Sequence, residues 1–327
     1  MTTFDIVTAL TASELFGAEL SLPSHPDWGK VLECAHDQGV VAICYEAVKR
    51  LPAELQPDFA TMLRWDVSAE EVKSSFESRR KVKEHLRDLF SSIGERMLLL
   101  KGETLSDHYP HPEMRECGDI DIMPLGSYER LNAFIESQGI EVDYSNSKHS
   151  VFFYEGEEVE LHDPVPHTSY NRNDYLTECL VADSLGDAVL RPDGCWELPP
   201  TVMAVHAVNH IALHLYMGEK VPLKMLADIA LLLKAHPEVL RQWEPALDRT
   251  GLTKFSRTIL RAIDTLFATA FSDGGGSDRF IRLFVRQEGT RLSQILGKYR
   301  YIPRTLPEAA RELYSKFSRV LRHRLHL

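Results

Sequence analysis

Gly118-Asp119-Ile120-Asp121-Ile122 alternates acidic and β-branched residues, the period-two pattern of a half-buried strand. Residues two apart on a strand project from one face, so Asp119 and Asp121 point together while Ile120 and Ile122 enter a core. Two ionised carboxylates held side by side repel one another. The pair is costly without a cation between them, and hard oxygen ligands favour Mg²⁺ or Mn²⁺. Downstream, Val159-Glu160-Leu161-His162 offers a third carboxylate between apolar neighbours on another expected strand. If that strand lies beside the first, Asp119, Asp121 and Glu160 converge, and these are the residue types of a two-metal phosphoryl-transfer site.

The surrounding residues extend the same α/β unit. Met97-Leu98-Leu99-Leu100 is a short continuous apolar run, read as a buried strand, and it ends in Lys101-Gly102. A glycine turn there lets bare backbone approach a phosphate. Arg115 stands four residues before Asp119, where its guanidinium can bind phosphate oxygens through two parallel hydrogen bonds. Ser127 reads as the N-cap of a helix with Leu131, Phe134 and Ile135 on one face and Gly139 as its stop. Val151–Tyr154, a turn at Glu155-Gly156-Glu157, and Val159–His162 read as a hairpin. Residues 95–198 therefore form the expected α/β core.

Both flanks read as helix. In residues 1–94, Trp28, Val31, Leu32 and Ala35 recur with helical spacing. Gly39 interrupts before Val40–Val48, and a long amphipathic pattern runs from Asp58 to Ile93. In residues 199–327, helices are expected at Val202–Tyr216, Leu223–Ala235, Pro237–Leu247 and Phe255–Phe271. The loop Gly274-Gly275-Gly276-Ser277 then leads into a basic helical end. The fold class is α+β, a small mixed-sheet core between two helical regions.

Leu99-Leu-Lys-Gly-Glu-Thr-Leu105, Tyr109-Pro110 and Arg115-Glu-Cys-Gly-Asp-Ile-Asp-Ile122 together resemble the uncharacterised nucleotidyltransferase family of the DNA polymerase β-like superfamily. The resemblance continues through Asp27-Trp28, Ala35-His36 and Gly39-Val40, and again through His206, His210, His214 and Leu226-Ala-Asp228. It implies that Asp119 and Asp121 hold two Mg²⁺ (or Mn²⁺) ions and that Glu160 completes one ion's shell or acts as base. It also implies that Lys101, Gly102 and Arg115 contact a nucleoside triphosphate. The implied reaction is in-line attack on the α-phosphate, with release of pyrophosphate. At the turn, Gly102-Glu103 replaces the superfamily's usual Gly-Gly or Gly-Ser.

Composition narrows the class further. The 327 residues carry 37 Lys and Arg against 48 Asp and Glu, a net charge of −11, and 44% are hydrophobic, which excludes wholesale disorder. No stretch approaches the roughly 18 uninterrupted apolar residues of a membrane span. The N-terminus lacks the pattern of a secretory signal, and the five cysteines form no CxxC pair, so a cytoplasmic setting is expected. From Arg279 onward twelve Lys and Arg face three Asp and Glu, leaving −20 on residues 1–278. That balance favours a small-molecule acceptor over wide nucleic-acid contact. Two alternatives stand beside the enzyme: a noncatalytic nucleotide-binding module, and an RNA-end-directed transferase using Arg311, Lys316, Arg319, Arg322 and Arg324 as a track. His206, His210 and His214 share a helical face and are read as packed histidines. His162 neighbours Glu160, Asp228 is expected to cap or to pair with a basic residue, and Cys117 has nothing nearby to activate it.

Overall fold

A computed structural model of the chain describes residues 1–167, 171–274 and 278–288, with 293, 294 and 297. Four helices open it: α1 Thr3–Phe16, α2 Trp28–Asp37, α3 Val41–Lys49 and α4 Phe59–Ser92. The central part runs β1 Met97–Leu99, α5 Lys101–Ser106, β2 Ile120–Pro124, α6 Tyr128–Ser137, β3 Val142–Asp143, β4 His149–Tyr154 and β5 Glu157–His162. It continues through α7 Arg172–Ser184, β6 Val189–Leu190 and β7 Trp196–Glu197. The remaining helices are α8 Pro200–Met217, α9 Leu223–Ala235, α10 Val239–Gln242, α11 Glu244–Thr250 and α12 Thr253–Phe267. A short helix Asp278–Phe280 then runs into a π-helical turn, Ile281–Val285.

The seven strands form one mixed sheet in the order β3-β4-β5-β2-β1-β7-β6. β2 pairs with β5, and β1 with β7, in parallel; the other neighbours are antiparallel. Alternation along the strands sorts side chains between two cores. Met97, Leu99, Ile120, Ile122, Phe152, Val159 and Leu161 pack beneath the sheet with Leu86 and Phe90 of α4 and Leu131 and Ile135 of α6. Leu98, Leu100 and Met123 face the opposite way, into the large core built by α1–α3, α8, α9 and α12. Asp121, between Ile120 and Ile122, is therefore turned toward the helical side. Helix α4, about 51 Å long at 1.5 Å per residue, joins the two cores: Trp65 and Ala69 enter one, Val82, Leu86 and Phe90 the other.

Several expectations change in detail. The glycine turn after β1 is absent, because Lys101 and Gly102 open helix α5 directly. The single helix expected over Pro237–Leu247 is two, α10 and α11, broken at Trp243. Pro245, in the first turn of α11, cannot continue a preceding helix. Helix α12 stops at Phe267, where Ala268 turns left-handed at φ 54°. The Asp264 carboxylate there accepts from the backbone N–H of Phe271 and Ser272, at 2.7 and 2.8 Å. Helix α7 and strands β6 and β7 lie in a stretch with no strong periodicity. The basic positions from Arg311 to Arg324 lie outside the described residues. Among the described residues, no helix is long and apolar enough to cross a membrane.

Candidate active site

The parallel pairing of β2 and β5 places Asp121 directly beside Glu160. Asp119 lies just before β2, and one carboxylate oxygen from each of Asp119, Asp121 and Glu160 falls within 4.8 Å of the others. The convergence expected of these three residues is present. It arises because apolar neighbours on both strands fix their register: Ile120 lies opposite Val159, and Ile122 opposite Leu161.

Lys101 enters this cluster. The Leu100 amide donates to the Asp121 carbonyl at 3.0 Å, which tethers the chain beside β2. The Lys101 backbone, at φ 38°, then swings its ammonium to 2.8 Å from Asp121 Oδ1 and 3.9 Å from Glu160 Oε2. His162 Nε2 approaches the same Asp121 oxygen at 2.8 Å and Glu160 Oε2 at 3.4 Å. Burial by itself would raise the Asp121 pKa, but the Lys101 charge and the His162 hydrogen bond outweigh it and hold the carboxyl well below its usual range. Asp119 makes no hydrogen bond with either group among the described residues, and the Lys101 charge only partly offsets its burial. Burial, reinforced by the Asp121 charge, pushes it up to about 6. Neighbouring carboxylates thus have opposite proton affinities, as expected where a site concentrates negative charge.

The cluster opens on a cleft of about 260 Å³ between the sheet and helices α7 and α8. Lys101, Asp119 and Glu160 line one side, and His206, Asn209 and His210 of α8 the other. Burial, then the Lys101 charge, lowers the pKa of both histidines, His206 to about 3, so their rings are neutral near pH 7. Among the described residues two groups of His, Cys and acidic side chains have donors close enough for a metal ion, and neither contains His206, His210 or His214. Instead, the His214 ring packs edge-on against His210 and its Nδ1 lies 3.0 Å from Glu219.

Of the three expected phosphate contacts, Lys101 lines the cleft, while Arg115 and Gly102 are packed elsewhere. Arg115 does not face the cleft. Its Nε and Nη2 bind the two oxygens of Asp228 at 2.7 and 2.8 Å, in a site where both residues are about 95% buried. Tyr109 donates to the same Asp228 at 2.8 Å. Asp228, read as a partner for a basic residue, takes that role with Arg115. Gly102 sits where a Cβ would lie 2.2 Å from Cys117 Sγ, so close packing requires glycine there. Lys101 points at carboxylates. Glu103, the unusual neighbour of Gly102, faces α4 and lies 3.8 Å from both Arg79 Nε and Lys83 Nζ. The Cys117 thiol is pushed up by burial, away from nucleophilic character.

His149 was not singled out by the sequence. It lies on β4 directly opposite His162, with its Nε2 3.5 Å from Glu160 Oε1. The turn at Glu155-Gly156, with φ 49° and 90°, is the two-residue hairpin turn that sets this register. A two-residue turn in place of the three-residue one expected would have placed His149 opposite His162 from sequence.

Residues 24–268 match a protein family described as "Uncharacterised nucleotidyltransferase". The chain belongs to this family. An antigenic nucleotidyltransferase-like protein from Paracoccidioides brasiliensis is similar in structure, at 12% sequence identity and a TM-score of 0.34, over 56% of this chain and 92% of that one. No curated protein matches the sequence. Nucleotidyltransferases generally use divalent metal, and the donors here fit one. Three carboxylates supply hard oxygens, and the Lys101 ammonium already sits among them as a cation.

Proposed function

We propose that this nucleotidyltransferase family member moves a nucleoside monophosphate from a nucleoside triphosphate to the hydroxyl of a small-molecule acceptor. The observation that carries this reading is the convergence of Asp119, Asp121 and Glu160 from adjacent, registered strands at the mouth of a cleft. Asp119, Asp121 and Glu160 would hold Mg²⁺ or Mn²⁺, two ions in this reading, which would neutralise charge on the triphosphate and on the departing pyrophosphate.

The chain's own residues do the rest. The acceptor oxygen forms a bond to the α-phosphorus while the bond from that phosphorus to the pyrophosphate oxygen breaks. The acceptor's hydroxyl proton passes to a carboxylate of the cluster, which we assign to Glu160. His162 holds the Asp121 carboxylate in place and in its charged form. The α7 and α8 walls restrict water and orient the acceptor. A cleft near the small end of ligand-pocket volumes suits a small molecule better than a polymer. The work is chiefly positioning and charge neutralisation.

One observation favours a second reading. Lys101 neutralises part of the cluster by itself, as a noncatalytic nucleotide-binding module would need. A single assay separates the two: transfer of α-³²P label from each of the four NTPs, with Mg²⁺ or Mn²⁺, to a metabolite extract or to total RNA. Label reaching small molecules, abolished by EDTA and by the double variant Asp119→Asn/Asp121→Asn, supports the proposal. Label on RNA replaces the acceptor class. No transfer together with no divalent binding by calorimetry establishes the binding module.

A further inference from the structure

Opposite the acidic cluster, helix α8 presents three polar side chains to the cleft, His206, Asn209 and His210. Positions three and four apart share a helical face, so all three border the same space. Met123, Val181 and Leu213 add apolar lining. Apolar walls with a few convergent polar groups are the makeup of a small-molecule site.

The charged side chains on this side of the cleft hold one another. Lys148 pairs with both Asp174 and Glu178, and His167 Nε2 lies 3.0 Å from Asp163 Oδ2. The neutral groups are the ones left open. Asn209 is only 4% exposed, and its Nδ2 donates to Asp174 Oδ1 at 3.1 Å, which fixes the orientation of the amide. Its Oδ1 is then left without a hydrogen bond among the described residues. The rings of His206 and His210, half-buried against the same cleft, likewise make none there. On the facing strand β4, His149 Nδ1 is buried and unbonded as well. Buried polar groups are nearly always satisfied. Unmet groups on two walls of one cleft point to a ligand that enters it.

We infer that the acceptor is an uncharged polyhydroxylated small molecule, of the sugar or polyol class, selected by His206, Asn209 and His210. This names the substrate of the transfer reading and rests on that reading. The choice follows from hydrogen-bonding capacity. Burial keeps both rings neutral, so each offers one N–H donor and one accepting nitrogen. Asn209 Oδ1 only accepts. A hydroxyl both donates and accepts, and so matches all three. A carboxylate or phosphate would meet Asn209 Oδ1 with another acceptor. An ammonium only donates, and would leave the two ring N–H groups unmatched.

The test separates a metabolite extract by ion exchange into uncharged, cationic and anionic pools. Each pool is added to the full chain carrying ¹³C in its histidine rings, with the His206 and His210 signals assigned from His206→Gln and His210→Gln. Expected is movement of both signals with the uncharged pool alone and, in the α-³²P assay, label entering a compound of that pool. His206→Leu and His210→Leu should each raise the apparent KM for that pool about tenfold, the effect of one lost hydrogen bond, while the KM for the NTP stays unchanged. The glutamine variants should recover part of the loss, since an amide again donates and accepts, and circular dichroism checks that all four fold. Ring signals that answer only to a charged pool, or to none, overturn the inference, as does an unchanged KM in both leucine variants. The ring signals need no catalysis. Their movement with the uncharged pool, without label from any NTP, would uphold this binding site and count against transfer alone.

Discussion

Arg115 and Asp228, 113 positions apart in sequence, meet through two parallel hydrogen bonds of 2.7 and 2.8 Å that tie the segment before β2 to helix α9. Burial alone would lower the Arg115 pKa, but the Asp228 charge overcomes it and keeps the guanidinium ionised. Removing one partner leaves the other charge buried and alone. Arg115→Ala is expected to destabilise the fold by about 3–5 kcal/mol in urea unfolding. Arg115→Met combined with Asp228→Leu should recover most of that loss, because neither charge then remains. A loss in the single variant below about 1 kcal/mol would show that the pair contributes little.

Gly102 packs against Cys117 with no room for a side chain. Gly102→Ala places a methyl group 2.2 Å from Cys117 Sγ and 3.3 Å from Arg115 Nη1. Overpacking of this kind costs about 1–3 kcal/mol. Cys117→Ala leaves its own Cβ 3.9 Å away, so the double variant should regain part of the stability. Additive losses in a double-mutant cycle would show that the two sites do not interact.

Lys101 sits against Asp121 and Glu160, two of the carboxylates proposed to hold a metal ion, so its ammonium would compete with that ion. Lys101→Met, which keeps an unbranched side chain of similar length, should tighten Mn²⁺ binding roughly tenfold if displacing the ammonium costs about 1.4 kcal/mol. Isothermal titration of the metal-free chain reads this directly. Unchanged affinity would place the ammonium beside the ion's position and not within it.

His206 sets a pH dependence of stability. Burial, then the Lys101 charge, lowers its pKa from 6.5 to about 3. Between those values the unfolded chain binds the proton that the folded chain refuses, so stability is full above pH 6.5 and falls as pH drops toward 3. His206→Gln, which cannot titrate, should flatten the fall in melting temperature between pH 7 and pH 4.5. An unaltered slope would assign the acid sensitivity to other groups.

Much of the architecture is local and was therefore legible. The alternation of Ile120 and Ile122 with acidic residues predicts β2. Ser127 starts α6, with its hydroxyl accepting from the Arg130 amide at 3.2 Å, and Gly39 separates α2 from α3. Residues 95–198 contain every strand of the sheet. Less local features did not show. Strand β7 has two residues, too few for a period, and exists because β1 offers it a parallel edge. The break between α10 and α11 depends on Pro245, a single residue inside an otherwise helical pattern.

By itself the sequence determined the family, the alternation of acidic and apolar residues that aims Asp121 and Glu160, and the helical flanks, because periodicity and capping act over a few residues. The tertiary structure decided which charges remain free to act. Arg115 and Lys101 have the same motif credentials as phosphate ligands, yet one is neutralised by Asp228 from α9 and the other by Asp121 and Glu160. His149 acquires its place beside Glu160 only through strand register. A side chain's charge is written in the sequence, but its electrostatic partner is set by which distant segment packs against it.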